Sequence, residues 1–193
     1  MHHRELAKTT NTGRLALLAL TKSDLKIRGD RTKPFSARDL IIDDYQSILL
    51  MPTSDAVELT PALCAGWNKP IHLIVPDGNW SQARKAATRE PDLAGIPRVK
   101  LGSGEPSKYR LRQAPRLGDL STFEAISRAL GVIEGPALEE TLQSLFDLMI
   151  ERVLWSRGRI PASDCKTPIP ASALEAFHRD GCAGSLKRSP VRS

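Results

Sequence analysis

Long hydrophobic runs are missing from this sequence. Its longest apolar stretches, such as Arg14–Leu20 and Ser47–Met51, fall far short of the roughly 20 residues that a membrane-spanning helix needs. Met1–Glu5 also lacks the apolar core of a secretory signal. These absences predict a chain that has no membrane partner.

Cysteines and aromatic residues are also few. The three cysteines stand far apart and form no C-x-x-C pair, which excludes a disulfide framework or a cysteine zinc site built from this chain. We therefore expect no bound metal and a reducing, cytoplasmic location. Aromatic residues make up only 5% of the chain, so aliphatic side chains must form most of its core.

Several catalytic signatures are absent as well. The sequence contains no P-loop, no H-E-x-x-H pair and no G-x-G-x-x-G after a predicted strand, which argues against a nucleoside triphosphatase, a zinc protease and a Rossmann dehydrogenase. Gly102–Gly104 resembles a dinucleotide loop only superficially, because no third glycine follows at the required spacing. The four histidines lie at the terminus, in a predicted strand and in the tail, so they indicate no histidine-centred hydrolase.

Positive charge, by contrast, is in excess and is segregated along the chain. The net charge of +6 divides into five blocks, over residues 1–36, 37–80, 81–116, 117–149 and 150–193, with net charges of +5, −4, +6, −5 and +4. If the positive blocks fold onto one face, they form a surface that binds a polyanion. The alternative is that the segregation reflects only which helices are exposed.

Short apolar segments alternate with helix-like stretches, which predicts an α/β fold. Ser47–Met51, Ile71–Val75 and the more polar Arg98–Leu101 have the length and composition of strands. Strands that alternate with helices favour a mostly parallel sheet with helices on both faces. We expect a folded domain over residues 1–158 and an extension rich in Pro, Ser and Arg over residues 159–193.

Three helices are predicted from the residues at their ends. Trp80–Arg89 follows a turn and is stopped by a proline. Ser121 and Glu124 have the spacing of a capping box, in which each side chain bonds the backbone amide of the other residue. The longest helix covers about residues 136–157, because it begins with a proline and is followed by Gly158.

The loops that follow the strands are where we expect a ligand, since parallel sheets hold ligands beyond the carboxyl ends of their strands. Asp77 stands just past one strand, and Trp80, Arg84 and Lys85 follow shortly after it. A carboxylate, an aromatic ring and two cations suit a flat, proton-bearing substrate attached to a phosphate chain. The plainer alternative is that Asp77 caps a helix and Trp80 belongs to the core.

A second candidate segment, Ser107–Arg116, lies in the long loop after the third predicted strand. Its cations alternate around Tyr109, a composition that fits phosphate contacts and base stacking. The alternative is a loop that is simply solvated.

Three separated segments carry a resemblance to a known family. They are Asn11–Ala16, Asp77–Trp80 with Ala83–Lys85, and a run from Tyr109 through Leu111, Arg112 and Pro115 to Leu120–Ala125. In this order and spacing they resemble DTW-domain proteins, a family of tRNA-uridine aminocarboxypropyltransferases, over roughly residues 2–157. The resemblance implies S-adenosylmethionine (SAM) as donor of a 3-amino-3-carboxypropyl group, N3 of a tRNA uridine as acceptor and methylthioadenosine as by-product. It also implies a fold related to the knotted, SPOUT-type α/β methyltransferases.

The resemblance also implies roles for individual residues. Asp77 would take the N3 proton as general base or hold the ammonium group of the donor, and Trp80 would support Asp77 or line the pocket. Backbone at the sheet edge would hold SAM, with amides at the start of the Ser121 helix near the donor carboxylate. The implied SAM-binding residues are Pro52, Leu101, Leu120, Ser121 and Thr122, and the implied tRNA-binding residues are Arg14, Arg84, Lys85, Arg110 and Arg112.

Two departures from the family pattern are visible. Asn79 stands where the family signature has Thr, and because both are polar turn residues we expect function to persist. Family members carry a cysteine-rich segment and an apolar strand before their H-x-R-E motif, and only Met1 precedes His2–Glu5 here. We therefore expect the domain over residues 1–158 to be truncated, with its first strand missing and an exposed sheet edge.

Two other functions remain open on the sequence alone. A SAM-dependent RNA methyltransferase of SPOUT type would release S-adenosylhomocysteine, whereas a non-catalytic RNA-binding module would have no SAM site. The sequence shows no obligate protein partner.

Overall fold

Four short segments pair as one parallel sheet in the computed structural model, which describes residues 1, 11–28, 32, 36–77, 91–111 and 119–179. The strands are β1 (Gln46–Leu50), β2 (Val57–Glu58), β3 (Ile71–Ile74) and β4 (Arg98–Lys100), in the spatial order β2-β4-β1-β3. All three pairings are parallel, so the α/β class and the parallel sheet are confirmed.

The strands match the predicted segments to within about one residue, except for β2. Its two residues are both exposed and carry no apolar pattern, which is why the sequence did not predict a strand there. The register of the central pair places Ser47 beside His72 and Leu49 beside Ile74. Because every pairing is parallel, all four described strands end at the same edge of the sheet.

Five α-helices and three short 3-10 turns complete the described part of the chain. The helices are α1 (Gly13–Ala19), α2 (Pro61–Ala65), α3 (Thr122–Glu134), α4 (Pro136–Ser156) and α5 (Ala171–Arg179), and the 3-10 turns are Ala37–Leu40, Pro91–Leu93 and Ala162–Asp164. The predicted helix over Trp80–Arg89 lies outside the described residues.

Strand β1 separates two apolar layers because its side chains alternate between the faces of the sheet. Ile48 and Leu50 face a layer that α2 and α3 cover, including Ala129. Leu49 and Met51 face the opposite layer, which contains residues of the 3-10 turns at 37–40 and 91–93. A fully buried aliphatic side chain stabilises the fold by about 1.5–3 kcal/mol, so this central strand anchors the sheet. Within the described residues, α-helices thus cover one face and 3-10 turns contribute to the other.

The two predicted helix ends are present. Ser121 Oγ accepts the Glu124 amide at 3.3 Å and the Glu124 carboxylate accepts the Ser121 amide at 2.9 Å, which is the expected capping box. Gly158 lies just past the end of α4, and its φ of 63° is left-handed. The amides of Gly158 and Arg159 bond the carbonyls of Trp155 and Leu154, which forms a Schellman cap.

The chain divides into two compact units, the first comprising Met1–Ser107 and Ala114–Gln143, and the second Lys108–Gln113 and Ser144–Ser193. In the second unit the Tyr109 ring lies against Phe146 and the Trp155 ring lies against Phe177, with centroid distances of 5.7 and 4.9 Å. The proposed boundary at residue 158 stays a prediction.

Polar contacts fix the segment that follows α4 within the second unit. The Arg152 guanidinium donates to the carbonyls of Thr167 and Pro168 at 3.0 and 2.9 Å. The Glu151 carboxylate accepts the amide of Lys166 at 2.6 Å. These bonds connect α4 to the chain that leads into α5.

Candidate functional site

A cavity of about 520 Å³ opens at the carboxyl ends of β1, β3 and β4, within the first unit. Ligands in parallel α/β sheets bind at this edge. Its walls come from the three strand ends, the loop after β4 and the start of α3. The lining residues are Leu50, Met51, Pro52, Val75, Pro76, Lys100, Leu101, Gly102, Ser103, Gly104, Glu105, Asp119, Leu120, Thr122, Ala125 and Arg128.

Asp77 directly follows the lining residue Pro76 and bonds the lining residue Thr122, so we place it at the rim of this cavity. Its two carboxylate oxygens have different partners. The Asn11 side-chain amide donates to Oδ2 at 2.9 Å, and the Thr122 hydroxyl donates to Oδ1 at 2.6 Å. Asn11 and Thr122, which lie 66 and 45 positions from Asp77 in the sequence, therefore fix the orientation of its carboxylate.

Asn11 is itself held by the start of α1. Its side-chain oxygen accepts the Arg14 amide at 3.1 Å, so one side chain both caps α1 and reaches Asp77. Gly13 makes the close approach possible, because a Cβ atom at this position would lie 3.0 Å from Asp77 Cγ. Asn11, Asp77 and Thr122, one residue from each segment that carried the resemblance, thus meet at the Asp77 carboxylate.

The amides at the start of α3 are largely occupied by protein groups. Those of Ser121 and Glu124 belong to the capping box, and the Phe123 amide donates to Thr12 Oγ1 at 3.4 Å. Of the amides from Ser121 to Glu124, that of the cavity-lining Thr122 therefore remains for a bound carboxylate.

The residues predicted to bind SAM lie in the first unit. Pro52, Leu101, Leu120 and Thr122 line the cavity, while Ser121 caps the adjoining helix. Trp80, predicted to act beside Asp77, lies outside the described residues.

The predicted tRNA-binding residues are less fully described. Arg14 is exposed and follows Gly13, the residue that contacts Asp77. Arg110 is exposed in the second unit, next to Tyr109, whose ring packs on Phe146. Arg84, Lys85 and Arg112 lie outside the described residues.

Sequence reasoning missed two residues of the site. Asn11 stood in one of the segments that carried the resemblance, but nothing in the sequence connects its side chain to Asp77. Arg128 lines the cavity from the second turn of α3. The only sequence feature that could have indicated this was its position on a predicted helix, six residues after Thr122.

The described residues contain neither a metal-binding cluster nor a membrane-spanning helix. In these ranges no three His, Cys, Asp or Glu side chains come together where they could hold a metal ion. No helix in the same ranges has the length and apolar character needed to cross a membrane.

Comparison with known proteins gives a family and several relatives. The family model described as "DTW domain" matches residues 1–154. Proteins named "tRNA-uridine aminocarboxypropyltransferase 2" are similar to this chain. The fruit fly protein (Drosophila melanogaster) is 38% identical over 104 residues, which cover 53% of this chain and 40% of the relative. The mouse protein (Mus musculus) is 31% identical over 101 residues, covering 51% and 34%.

These matches cover less than half the length of the curated relatives. No solved structure matches the chain at a significant level. The family model, however, covers most of the sequence, from its first residue through almost all of α4. The chain therefore belongs to the DTW domain family.

Proposed function

We propose that this protein transfers the 3-amino-3-carboxypropyl group of SAM to N3 of a tRNA uridine and releases methylthioadenosine. The observation that carries the proposal is the Asp77 carboxylate, which Asn11 and Thr122 orient at the rim of a cavity at the carboxyl edge of the sheet. Family membership and the names of the relatives support the same reaction.

Asp77 has the chemistry that this reaction requires. The N3–H of uridine is only weakly acidic, so a carboxylate within hydrogen-bonding distance assists attack by accepting that proton, an effect of about 10²–10⁴-fold in general base catalysis. Asn11 and Thr122 each occupy one acceptor position on Asp77. A carboxylate has further acceptor positions, so one remains available for an incoming N3–H. The new bond joins N3 to the transferred carbon as the bond from that carbon to sulfur breaks.

The cavity fits a donor of the size of SAM. Its volume of about 520 Å³ lies within the usual range for small-molecule sites. Leu50, Val75 and Leu101 supply apolar wall for a flat ring, while Lys100 and Arg128 supply positive charge. When bound, SAM supplies a sulfonium group that activates the carbons attached to it. The protein then has to orient the donor relative to Asp77, so that the aminocarboxypropyl carbon faces the acceptor.

Asp77 has a second possible role, which is to hold the ammonium group of the donor. The two roles predict different defects in the Asp77→Ala variant. A general base is needed for transfer, but its loss leaves SAM affinity within a few-fold of wild type. A residue that holds the ammonium group is needed for affinity, so its loss weakens SAM binding strongly.

The proposal names tRNA as the acceptor, and exposed basic residues support it. Arg14 and Arg110 are exposed, and they lie in the two most basic blocks of the sequence. Arg84, Lys85 and Arg112 extend this proposed set on sequence grounds. Each neutralised phosphate contributes about −0.7 to −0.9 to the slope of log affinity against log salt.

Salt dependence tests the tRNA contacts. The double variant Arg110→Ala/Arg112→Ala should reduce the magnitude of that slope by roughly one to two units, whereas Arg157→Ala, an exposed arginine outside the proposed set, should leave it unchanged. An unchanged slope in the double variant would show that this loop does not contact RNA.

Nucleoside mass spectrometry of tRNA incubated with the protein and SAM tests the reaction itself. Uridine carrying an aminocarboxypropyl group supports the proposal. A methylated nucleoside would instead identify an RNA methyltransferase, and unmodified tRNA that still binds would identify an RNA-binding module.

We extend the proposal to the fold relationship, the cellular location and the domain limits of the protein. We propose a SPOUT-type relationship for the fold, supported by the parallel sheet and the cavity at its carboxyl edge. A cytoplasmic location fits the free thiols of Cys64 and Cys165. The catalytic part would lie within residues 1–158, with residues 159–193 as an extension.

A further inference from the structure

Arg128 is a cation on the cavity wall for which the proposed function names no specific ligand group. It lies on α3, partly buried, and one of its guanidinium nitrogens, Nη2, donates to the carbonyl of Glu105 at 2.6 Å. Within the described part of the chain it forms no ion pair, although Glu105 and Asp119 line the same cavity. Most of its N–H donors are therefore available to a ligand.

The loop after β4 holds the guanidinium in place. The bond to the Glu105 carbonyl anchors one side of the group. Gly104 lies against the other side, because a Cβ atom at this position would be 3.0 Å from Arg128 Nη1. Because Gly104 has no side chain, the guanidinium fits against its backbone and has a defined position at the cavity wall.

Resting on the proposed function, we propose that Arg128 binds the carboxylate of the aminocarboxypropyl group of SAM. A guanidinium matches a carboxylate in geometry and can bind both of its oxygens. Most amides at the start of α3 compete poorly for this carboxylate, because those of Ser121, Phe123 and Glu124 are already bonded and only that of Thr122 is left beside the cavity.

The position of Arg128 relative to Asp77 suits this role. Thr122, which bonds Asp77, and Arg128 are six residues apart on α3, or about 9 Å along the helix axis. Long side chains in helices lean toward the N-terminus, so the Arg128 side chain covers part of that distance. A donor held by its carboxylate at Arg128 would present the adjoining carbon chain toward Asp77, which favours transfer of that chain over transfer of the methyl group.

A phosphate of tRNA is a less suitable partner for this arginine. Arg128 is the only Lys or Arg between residues 117 and 149, a block that contains six acidic residues. A phosphate of a long polyanion would be repelled by such a block, whereas a small carboxylate can enter the cavity, where Lys100 and Arg128 offset the charge of Glu105 and Asp119.

Binding of SAM and of decarboxylated SAM tests the proposal by calorimetry. The two ligands differ only in the carboxylate, so their affinity ratio measures its contribution. We expect wild type to prefer SAM by about tenfold or more, since a hydrogen bond between charged groups is among the stronger polar contacts. In Arg128→Gln the affinity for SAM should fall by about that factor, while affinity for decarboxylated SAM stays within about twofold of wild type.

Two further variants serve as controls. Arg157→Gln, an exposed arginine in the second unit, should keep the wild-type preference. Arg128→Lys retains the charge but loses the paired donors of the guanidinium, so it should keep only part of the preference for SAM. This variant tests the proposal if Arg128→Gln fails to fold.

The other outcomes contradict the proposal in distinguishable ways. Equal loss of affinity for both ligands in Arg128→Gln, with an unchanged melting temperature, would show that Arg128 only shapes the cavity. Loss of tRNA affinity without loss of the SAM preference would assign the arginine to a phosphate. Either result leaves the proposed function intact, whereas a wild-type protein that binds no SAM would overturn both.

Discussion

Two carboxylates near the start of α3, Asp77 and Glu124, differ in their surroundings. Glu124 is 1% exposed and accepts the Ser107 hydroxyl at 2.7 Å and the Ser121 amide at 2.9 Å, both at Oε2. Asp77 is partly exposed at the cavity rim, and each of its oxygens accepts one bond, from Asn11 or Thr122.

The difference separates a structural acid from a candidate catalytic one. Glu124 closes the first turn of its own helix and ties it to the nearby loop residue Ser107, and its burial leaves no path to a ligand. Asp77 is held by distant segments while part of it stays accessible. Sequence alone shows two acids near helix starts, whereas their burial and their partners distinguish them and make Asp77 the catalytic candidate.

Asp77→Asn should give the largest effect on turnover. The amide has the same shape but cannot take the N3 proton, so the single-turnover rate on tRNA should fall by about 10²–10⁴-fold. Calorimetry should show SAM affinity within a few-fold of wild type. Asp44→Asn, at an exposed turn before β1, is the matched control and should react at the normal rate. Near-normal turnover of Asp77→Asn at any pH would remove the general-base assignment.

Glu124→Ala should affect stability rather than chemistry. The substitution removes one half of the capping box and leaves Ser107 without its carboxylate, so the free energy of unfolding should fall by about 2 kcal/mol. Urea denaturation measures this change. Glu134→Ala, at the exposed end of the same helix, should stay within about 0.5 kcal/mol of wild type. Equal stability of the two variants would contradict the structural role of Glu124.

Thr122→Val tests whether Asp77 depends on its distant partners. The change keeps the shape of the side chain but removes the hydroxyl that donates to Asp77 Oδ1 at 2.6 Å. Turnover should drop by roughly tenfold, because a lost bond to a charged group leaves the carboxylate less well oriented. Thr122→Ser restores the hydroxyl and should restore most of the rate. A normal rate in Thr122→Val would show that this bond does not matter for catalysis.

His72, in the middle of the strand that leads to Asp77, should give the smallest effect. Burial lowers the pKa of His72, although a hydrogen bond to the Leu40 carbonyl partly opposes this shift. Since the unfolded chain then binds the proton more readily, stability should be complete above a pH of about 6.5 and should decline as the pH falls below it.

Thermal melts of wild type and His72→Gln across this pH range measure the contribution. Because the pKa of His72 is lowered in the folded state, wild type should lose more stability in acid than His72→Gln does. Parallel curves would show that His72 contributes no pH dependence.

Much of the fold could be predicted from local signals. Apolar runs predicted β1, β3 and β4, and the spacing of Ser121 and Glu124 predicted the capping box. Strand β2 could not be predicted, because two exposed residues carry no pattern. Helix α2 has a readable start, since Thr60 accepts the Leu63 amide and Pro61 begins the helix, but its five residues are too few for a periodic pattern.

The candidate site was only partly predictable for a different reason. The position of Asp77 follows from its place after an apolar strand, which is a local feature. Its bonds to Asn11 and Thr122 join residues far apart in the chain, so they depend on packing that no local pattern encodes. The presence of Arg128 in the cavity likewise follows from how α3 lies beside the loop after β4.

Analysis of the by-product is the most direct test of the central claim, that Asp77 marks the centre of aminocarboxypropyl transfer. Wild type and Asp77→Asn would be incubated with SAM and tRNA, and the nucleoside products separated by chromatography. We expect wild type to release methylthioadenosine in step with modified uridine and Asp77→Asn to release almost none. Release of S-adenosylhomocysteine, or equal release of methylthioadenosine by both proteins, would contradict it.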